Sequence, residues 1–274
     1  MDKLKLNIIG DTFTYRHSGN KGFSVHQKEA KHLEWTQDGS GVGSVYVDVA
    51  VHRGQNFNFG GPRYAWLYES KFIVPGPTAD VLSHTDWYLD NFDLIFTHDQ
   101  EILALSDKCK FVPANGIWIE EPKMYHKSKL VSMISSNKLM TDGHRERLNW
   151  VERLRSQLDL YGRGFNSIDS KESGLCDYMF SVTIENGCYS SYFTEKILDC
   201  FATGTIPIYL GSPDIGDFFN LDGIIPLTDD FSIDELTTDL YYDKLDAIKD
   251  NLNRVMDMVI PEDYMYKHYL SVRH

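Results

Sequence analysis

The sequence predicts an α/β protein made of two halves, each organised around strands that alternate with helices. Three observations support this. The length of 274 residues suits two ordinary domains better than one large one. Apolar stretches of strand length recur in both halves, and in the second they alternate with segments of helical periodicity. Between the two series lies Glu120-Glu121-Pro122, a polar break that places the domains at 1–122 and 123–274.

Taken in order, residues 4–9 alternate as a first strand and residues 44–51 as another, while 64–68 and 92–97 have the character of buried strands ending in polar residues. Gly39-Ser40-Gly41-Val42-Gly43 leads into a strand-like run rather than a helix, so it is turn chemistry and not a dinucleotide loop; Gly60-Gly61-Pro62 is a second turn. The next series opens with a strand over 129–136. Thr141-Asp142 then offers helix caps, and Leu148, Val151, Leu154 and Leu158 recur at helical spacing up to Leu160-Tyr161-Gly162. A strand over 178–184, a helix over 194–203 stopped by Gly204, and a strand over 206–210 ending at Gly211 complete the pattern. This succession predicts a parallel sheet, with ligands bound at the carboxyl ends of its strands. After Ser232 the chain is mostly helical, with Leu236, Leu240, Leu245, Ile248, Leu252, Val255 and Val259 on its apolar face.

Composition narrows the partners. Hydrophobic residues at 42% and charged residues at 24% are ordinary for a globular protein. A net charge of −13 repels nucleic acid and anionic membranes, so any anionic ligand must meet a local basic cluster. The apolar run at the N-terminus is too short for a signal peptide, and no later stretch has the length of a membrane span, which predicts a chain without a membrane segment. Cys109, Cys176, Cys188 and Cys200 form no C-x-x-C pair, as expected of reduced thiols. No D-x-D triplet or HExxH occurs, so no metal site and no required cofactor are expected.

Chemistry concentrates in residues 180–211. Thr194-Glu195-Lys196 is a helix start with a hydroxyl cap, a carboxylate in the first turn and a lysine beside it. Free backbone N–H groups, the positive end of the helix dipole and an ammonium suit a diphosphate, and the glutamate suits ribose hydroxyls. Those three residues alone also fit an ordinary capped amphipathic helix. The longer pattern is more specific: Phe180-Ser181-Val182-Thr183-Ile184-Glu185-Asn186, then Tyr192-Phe193-Thr194-Glu195-Lys196-Ile197, then Gly204-Thr205-Ile206-Pro207-Ile208-Tyr209-Leu210-Gly211. It resembles the donor motif of the α-1,3-fucosyltransferases, glycosyltransferase family 10. The likeness continues through Ser212-Pro213 and Asp217-Phe218-Phe219-Asn220. Upstream it takes in Ser135-Ser136-Asn137 and Gly143-His144-Arg145-Glu146-Arg147 with Trp150. Departures fall at Ile184, Ser191 and Leu210, where the family more often has other residues.

The resemblance implies the architecture called GT-B, two Rossmann-like domains facing across a cleft, with the acceptor bound by the N-terminal domain and the nucleotide sugar by the C-terminal one. It also implies GDP-fucose as donor, a glycan hydroxyl as acceptor, and single-displacement inversion. Arg147 matches the arginine that holds the pyrophosphate, although Glu146, Glu152 and Arg153 offer it a purely structural role as a surface charge partner. Arg145 adds to the field. Lys196 joins Arg147 on the diphosphate, Glu195 takes the ribose, and Asn186 and Tyr192 shape the pocket near the sugar or phosphates. The family's base is a glutamate of the N-terminal half, and Glu69, at the end of a strand, is the candidate here; Asp99 and Glu101 are its rivals. His17 and His144 are further ligand candidates. Lacking the anchor and luminal disulfides of animal and plant members, the chain is expected to be a cytoplasmic enzyme of bacterial or viral type. A same-fold transferase using another nucleotide sugar, and a non-catalytic carbohydrate-binding protein, are the alternatives.

Overall fold

The computed structural model describes residues 2–10, 24–25, 28–54, 56–57, 59–139 and 142–271. The chain divides into two compact units, one of Met1–Gly116 with Met258–His274 and one of Ile117–Asp257. No helix among the described residues is long and apolar enough to cross a membrane.

In the first unit β1 (Leu4–Ile9), β2 (Leu33–Thr36), β3 (Ser44–Val47), β4 (Arg63–Leu67), β5 (Leu94–Thr97) and β6 (Cys109–Phe111) form a sheet of order β2-β1-β3-β4-β5-β6. Every pairing is parallel. Helices α1 (Pro75–Ser83), α2 (Thr85–Asn91) and α3 (Gln100–Leu103) belong to the connections. The glycine-rich run before β3 is a turn, as its sequence indicates, and the buried Asn7 fastens it. The Asn7 amide accepts from Gly41 N at 3.2 Å and donates to Gly43 O at 3.0 Å. The strand expected over 44–51 stops at Val47, because Asp48 adopts φ 47° and turns the chain into a short 3-10 helix, Asp48–Val51. The carboxylate of Asp48 holds the end of β4, accepting from Tyr68 N at 2.8 Å and Glu69 N at 3.0 Å.

The second unit contains β7 (Lys129–Ile134), α4 (Asp142–Leu154), β8 (Asp159–Tyr161), α5 (Glu172–Leu175), β9 (Tyr178–Ile184), α6 (Glu195–Thr203), β10 (Ile206–Leu210) and β11 (Ile225–Pro226), followed by α7 (Thr238–Asp243) and α8 (Leu245–Val255). Its sheet has the order β11-β10-β9-β7-β8 and is also wholly parallel. Thr141, named above as a cap, lies outside the described residues. All seven residues of β9 are buried, the signature of a central strand covered on both faces. Val131, Met133, Phe180, Val182, Ile206 and Ile208 pack with Val151 and Leu154 of α4 and Ile248 of α8. Gly204 ends α6 at φ 72°, in the left-handed conformation that glycine adopts without strain. The chain runs outward from β7 to β8 on one side, then returns to lay β9, β10 and β11 on the other. The point of reversal, between β7 and β9, is where such a sheet leaves a crevice at its carboxyl edge.

The tail departs from expectation. Residues 258–271, assigned above to the second domain, pack with the first unit. The physical reason is polar anchoring: Glu262, buried in α9 (Pro261–Met265), accepts from Ser24 N at 2.9 Å and Trp35 Nε1 at 3.3 Å. Asp263 accepts from Lys31 N at 2.8 Å, and the Tyr269 hydroxyl donates to Phe111 O at 2.8 Å. These partners are scattered along the first 111 residues, and no local periodicity points to them.

Candidate active site

A cavity of about 590 Å³ opens in the second unit at the carboxyl ends of β7 and β9. Its wall is made by Ile134, Ser135 and Ser136 from the end of β7, residues 181–184 and Asn186 from β9, His144 and Arg147 from α4, and Glu195, Lys196, Asp199 and Cys200 from α6. Lys138, Arg163 and Lys171 with Trp118 also line it. Five cationic side chains thus meet two carboxylates in a protein of net charge −13, which is the local basic cluster that an anionic ligand requires.

Glycine brings the two sides of the crevice together. A Cβ on Gly143, at the start of α4, would lie 2.2 Å from the carbonyl oxygen of Asn186 after β9. Only a residue without a side chain lets the helix start so close to the strand end. Gly162, at φ 111°, likewise sits against Ser135, where a Cβ would lie 2.0 Å from the carbonyl oxygen.

The α6 N-terminus follows the cap chemistry read from the sequence. The Thr194 hydroxyl accepts from Lys196 N at 3.5 Å, and Glu185 fixes the approach to the helix. Buried at the end of β9, Glu185 accepts from Thr194 N at 2.9 Å, Thr194 Oγ1 at 2.7 Å and Lys196 Nζ at 3.1 Å. Glu195 turns to the other side, with Lys171 Nζ at 3.4 Å and Lys196 Nζ at 3.7 Å. Burial by itself would raise its carboxyl, but the two ammonium groups outweigh it and bring the group down to about 2. An ionised, acceptor-only carboxylate at this position suits ribose hydroxyls.

Arg147 lies on the inner side of α4. The neighbouring charges are engaged elsewhere: Glu146 accepts from Trp150 Nε1 at 3.0 Å, Arg153 lies over the Trp150 ring, and Glu152 pairs with Arg155. Arg147 is only 5% exposed, and its Nη1 donates to Asn186 Oδ1 at 3.1 Å. Its Nε has no hydrogen-bond partner among the described residues. Arg147 lines the cavity, and a guanidinium there suits an anionic acceptor. His144, one turn earlier, is buried; desolvation first, and then Arg147, Lys138 and Lys196, push its imidazole down to about 4, so it lines the cavity uncharged at neutral pH. Arg145 is exposed and does not line the cavity, and His17 lies outside the described residues.

Of the five donor-site residues named from sequence, Arg147, Asn186, Glu195 and Lys196 come together on this cavity. Tyr192 is not among its lining residues. It is buried, stacked on Tyr189 with ring centres 4.5 Å apart, in the segment between β9 and α6. There it stiffens the segment, together with Ser191, held at φ 62° by a bond from its N–H to Asp214 Oδ1 at 2.7 Å. Glu69 belongs to the first unit, half-buried at the end of β4, where its Oε1 accepts from Ser70 N at 2.8 Å. Its rivals are engaged in pairing: Asp99 caps α3 and meets Lys71 Nζ at 2.9 Å, and Glu101 meets the same ammonium at 3.0 Å. Lys171 and Asp199 went unrecognised in the sequence, since an isolated lysine in a polar loop and an aspartate on a buried helix face carry no local signature.

The family model for the C-terminal region of glycosyltransferase family 10 (fucosyltransferase) matches residues 124–270, just over half of the chain. The chain belongs to glycosyltransferase family 10. Over 72 residues it is 38% identical to the alpha-(1,3)-fucosyltransferase FucT of Helicobacter pylori, a stretch that makes up 26% of this chain and 15% of that protein. The crystal structure of an α1,3-fucosyltransferase resembles it in fold with a TM-score of 0.51 at 18% identity, covering 94% of this chain and 81% of the other. Two Rossmann-like units with parallel sheets in one chain are the composition of the GT-B class, as the motifs led one to expect.

Proposed function

We propose that this family 10 chain transfers fucose from GDP-fucose to a hydroxyl of a glycan acceptor, with inversion at the anomeric carbon. The observation that carries this is the convergence of the Arg147 guanidinium with Lys196 and Glu195 on a cationic cavity at the start of α6. Arg147 and Lys196 hold the diphosphate and stabilise the charge that grows on the leaving nucleotide. Glu195, ionised, accepts from the ribose hydroxyls, and Asn186 keeps the Arg147 guanidinium turned toward the cavity. In this reading Tyr192 acts through the shape of the 186–194 segment. Glu69 removes the proton from the acceptor hydroxyl as the glycosidic bond forms, and GDP departs from the opposite face. The donor and the fucosyl group come from the family to which the motifs and residues 124–270 belong.

Turnover provides the test. With GDP-fucose and a panel of oligosaccharide acceptors, GDP release and a fucosylated product of inverted configuration are expected. Glu69→Gln should lower that turnover by about 10²–10⁴-fold while leaving GDP affinity intact. Stabilisation by a non-guanosine nucleotide and none by GDP would sink the fucosyl assignment.

A further inference from the structure

The cavity contains a cation that the donor reading does not use. Lys171 Nζ stands between the fully buried Asp199, 2.7 Å from its Oδ2, and Glu195, 3.4 Å from its Oε1. The ammonium lies over the Trp118 ring, 4.4 Å from its centre. The other oxygen of Asp199 accepts from Trp118 N at 2.7 Å, so ring, carboxylate and ammonium form one braced unit. Lys196 is turned away from this unit, toward Glu185 and Thr194. Lys171 is thus shared between Asp199 and Glu195, while the shorter pairing of Lys196 is with Glu185 at 3.1 Å and its distance to Glu195 is 3.7 Å.

We propose that Lys171 is the positioning residue that aims Glu195 at the ribose, with Asp199 and Trp118 as its mount, and so sets how strongly the protein distinguishes ribose hydroxyls; this rests on the donor reading above. Two consequences follow from the geometry. Without Lys171, the ion pair left to Glu195 among those seen between the described residues is with Lys196, at 3.7 Å, and that ammonium is already held by Glu185 at 3.1 Å. Glu195 also loses its shorter ion pair, and a carboxylate held by fewer bonds keeps less of the alignment that hydroxyl recognition demands. The direction of titration agrees, since burial lowers the Lys171 ammonium less than Asp199 and Glu195 raise it, and the residue stays charged.

The test compares GDP with 2′,3′-dideoxy-GDP by calorimetric titration, with melting curves to establish folding of each variant. The wild type should favour GDP by tenfold or more. In Lys171→Met the preference should fall to within about threefold, mainly through weaker GDP binding, and Lys171→Arg should restore part of it. A residue that only supports the fold would weaken both nucleotides alike and leave the ratio unchanged. A ratio unchanged in folded Lys171→Met overturns the positioning role and leaves the donor reading standing. A wild type that binds neither nucleotide, or binds both equally, overturns the assignment of Glu195 itself and the role of Lys171 with it. If Lys171→Met does not fold, Lys171→Gln carries the same comparison with the same two outcomes.

Discussion

Burying a guanidinium while leaving one of its nitrogens without a partner costs on the order of 1–3 kcal/mol, and among the described residues Arg147 Nε has none. Such a cost persists where binding recovers it. Arg147→Met, which fills a similar volume without the polar group, should therefore leave the melting temperature unchanged or higher while weakening GDP about 10–100-fold by calorimetry. A second single-residue effect concerns acid stability. Desolvation, only partly offset by Asp99, pushes the buried His98 imidazole from its usual 6.5 down to about 4. The unfolded chain then takes up a proton below pH 6.5 that the folded chain refuses until about pH 4. Stability is complete above 6.5 and falls by up to ~3 kcal/mol as the pH drops through that window. Melting curves from pH 7 to 4 should show this slope, to which the similarly lowered His144 adds, and His98→Leu should make it shallower.

At the scale of elements, the donor crevice depends on how closely α4 starts against the end of β9. Gly143→Ala would place a methyl group 2.2 Å from the Asn186 carbonyl oxygen, so the helix start must move outward and take Arg147 and His144 with it. A loss of about 1–3 kcal/mol in stability and a weaker GDP affinity are expected together, read by denaturant unfolding and calorimetry. The elements themselves were largely legible. β1, β7, β9, α6 and β10 follow from alternating or mostly apolar runs, a threonine cap and Gly204. The edge strands β2, β6 and β11 are two to four residues long, too short for a periodicity to register. The α6 terminus and Arg147 were found because their spacing along the chain is fixed by local helix geometry. Lys171 and Asp199 were not, because a salt bridge across 28 residues is decided by packing. Tyr192 was legible as part of the motif, but the direction of its ring depends on Tyr189 and could not be read from spacing.

For the molecule as a whole, the tail is the feature that local patterns misplace. Residues 258–271 complete the first unit through Glu262, Asp263 and Tyr269, although the helices immediately before them belong to the second. Charge is also a property of the whole chain: a net charge of −13 repels anions at long range, and Lys138, Arg147, Arg163, Lys171 and Lys196 converge on the cavity to oppose it locally. That contrast makes the cavity the place where a nucleoside diphosphate belongs, and a crystal structure of the complex with GDP tests it most directly. Diphosphate oxygens should lie within hydrogen-bonding distance of the Arg147 guanidinium and Lys196 Nζ, with the ribose hydroxyls on Glu195. GDP bound elsewhere, or in this cavity with its phosphates away from Arg147 and Lys196, would contradict the account.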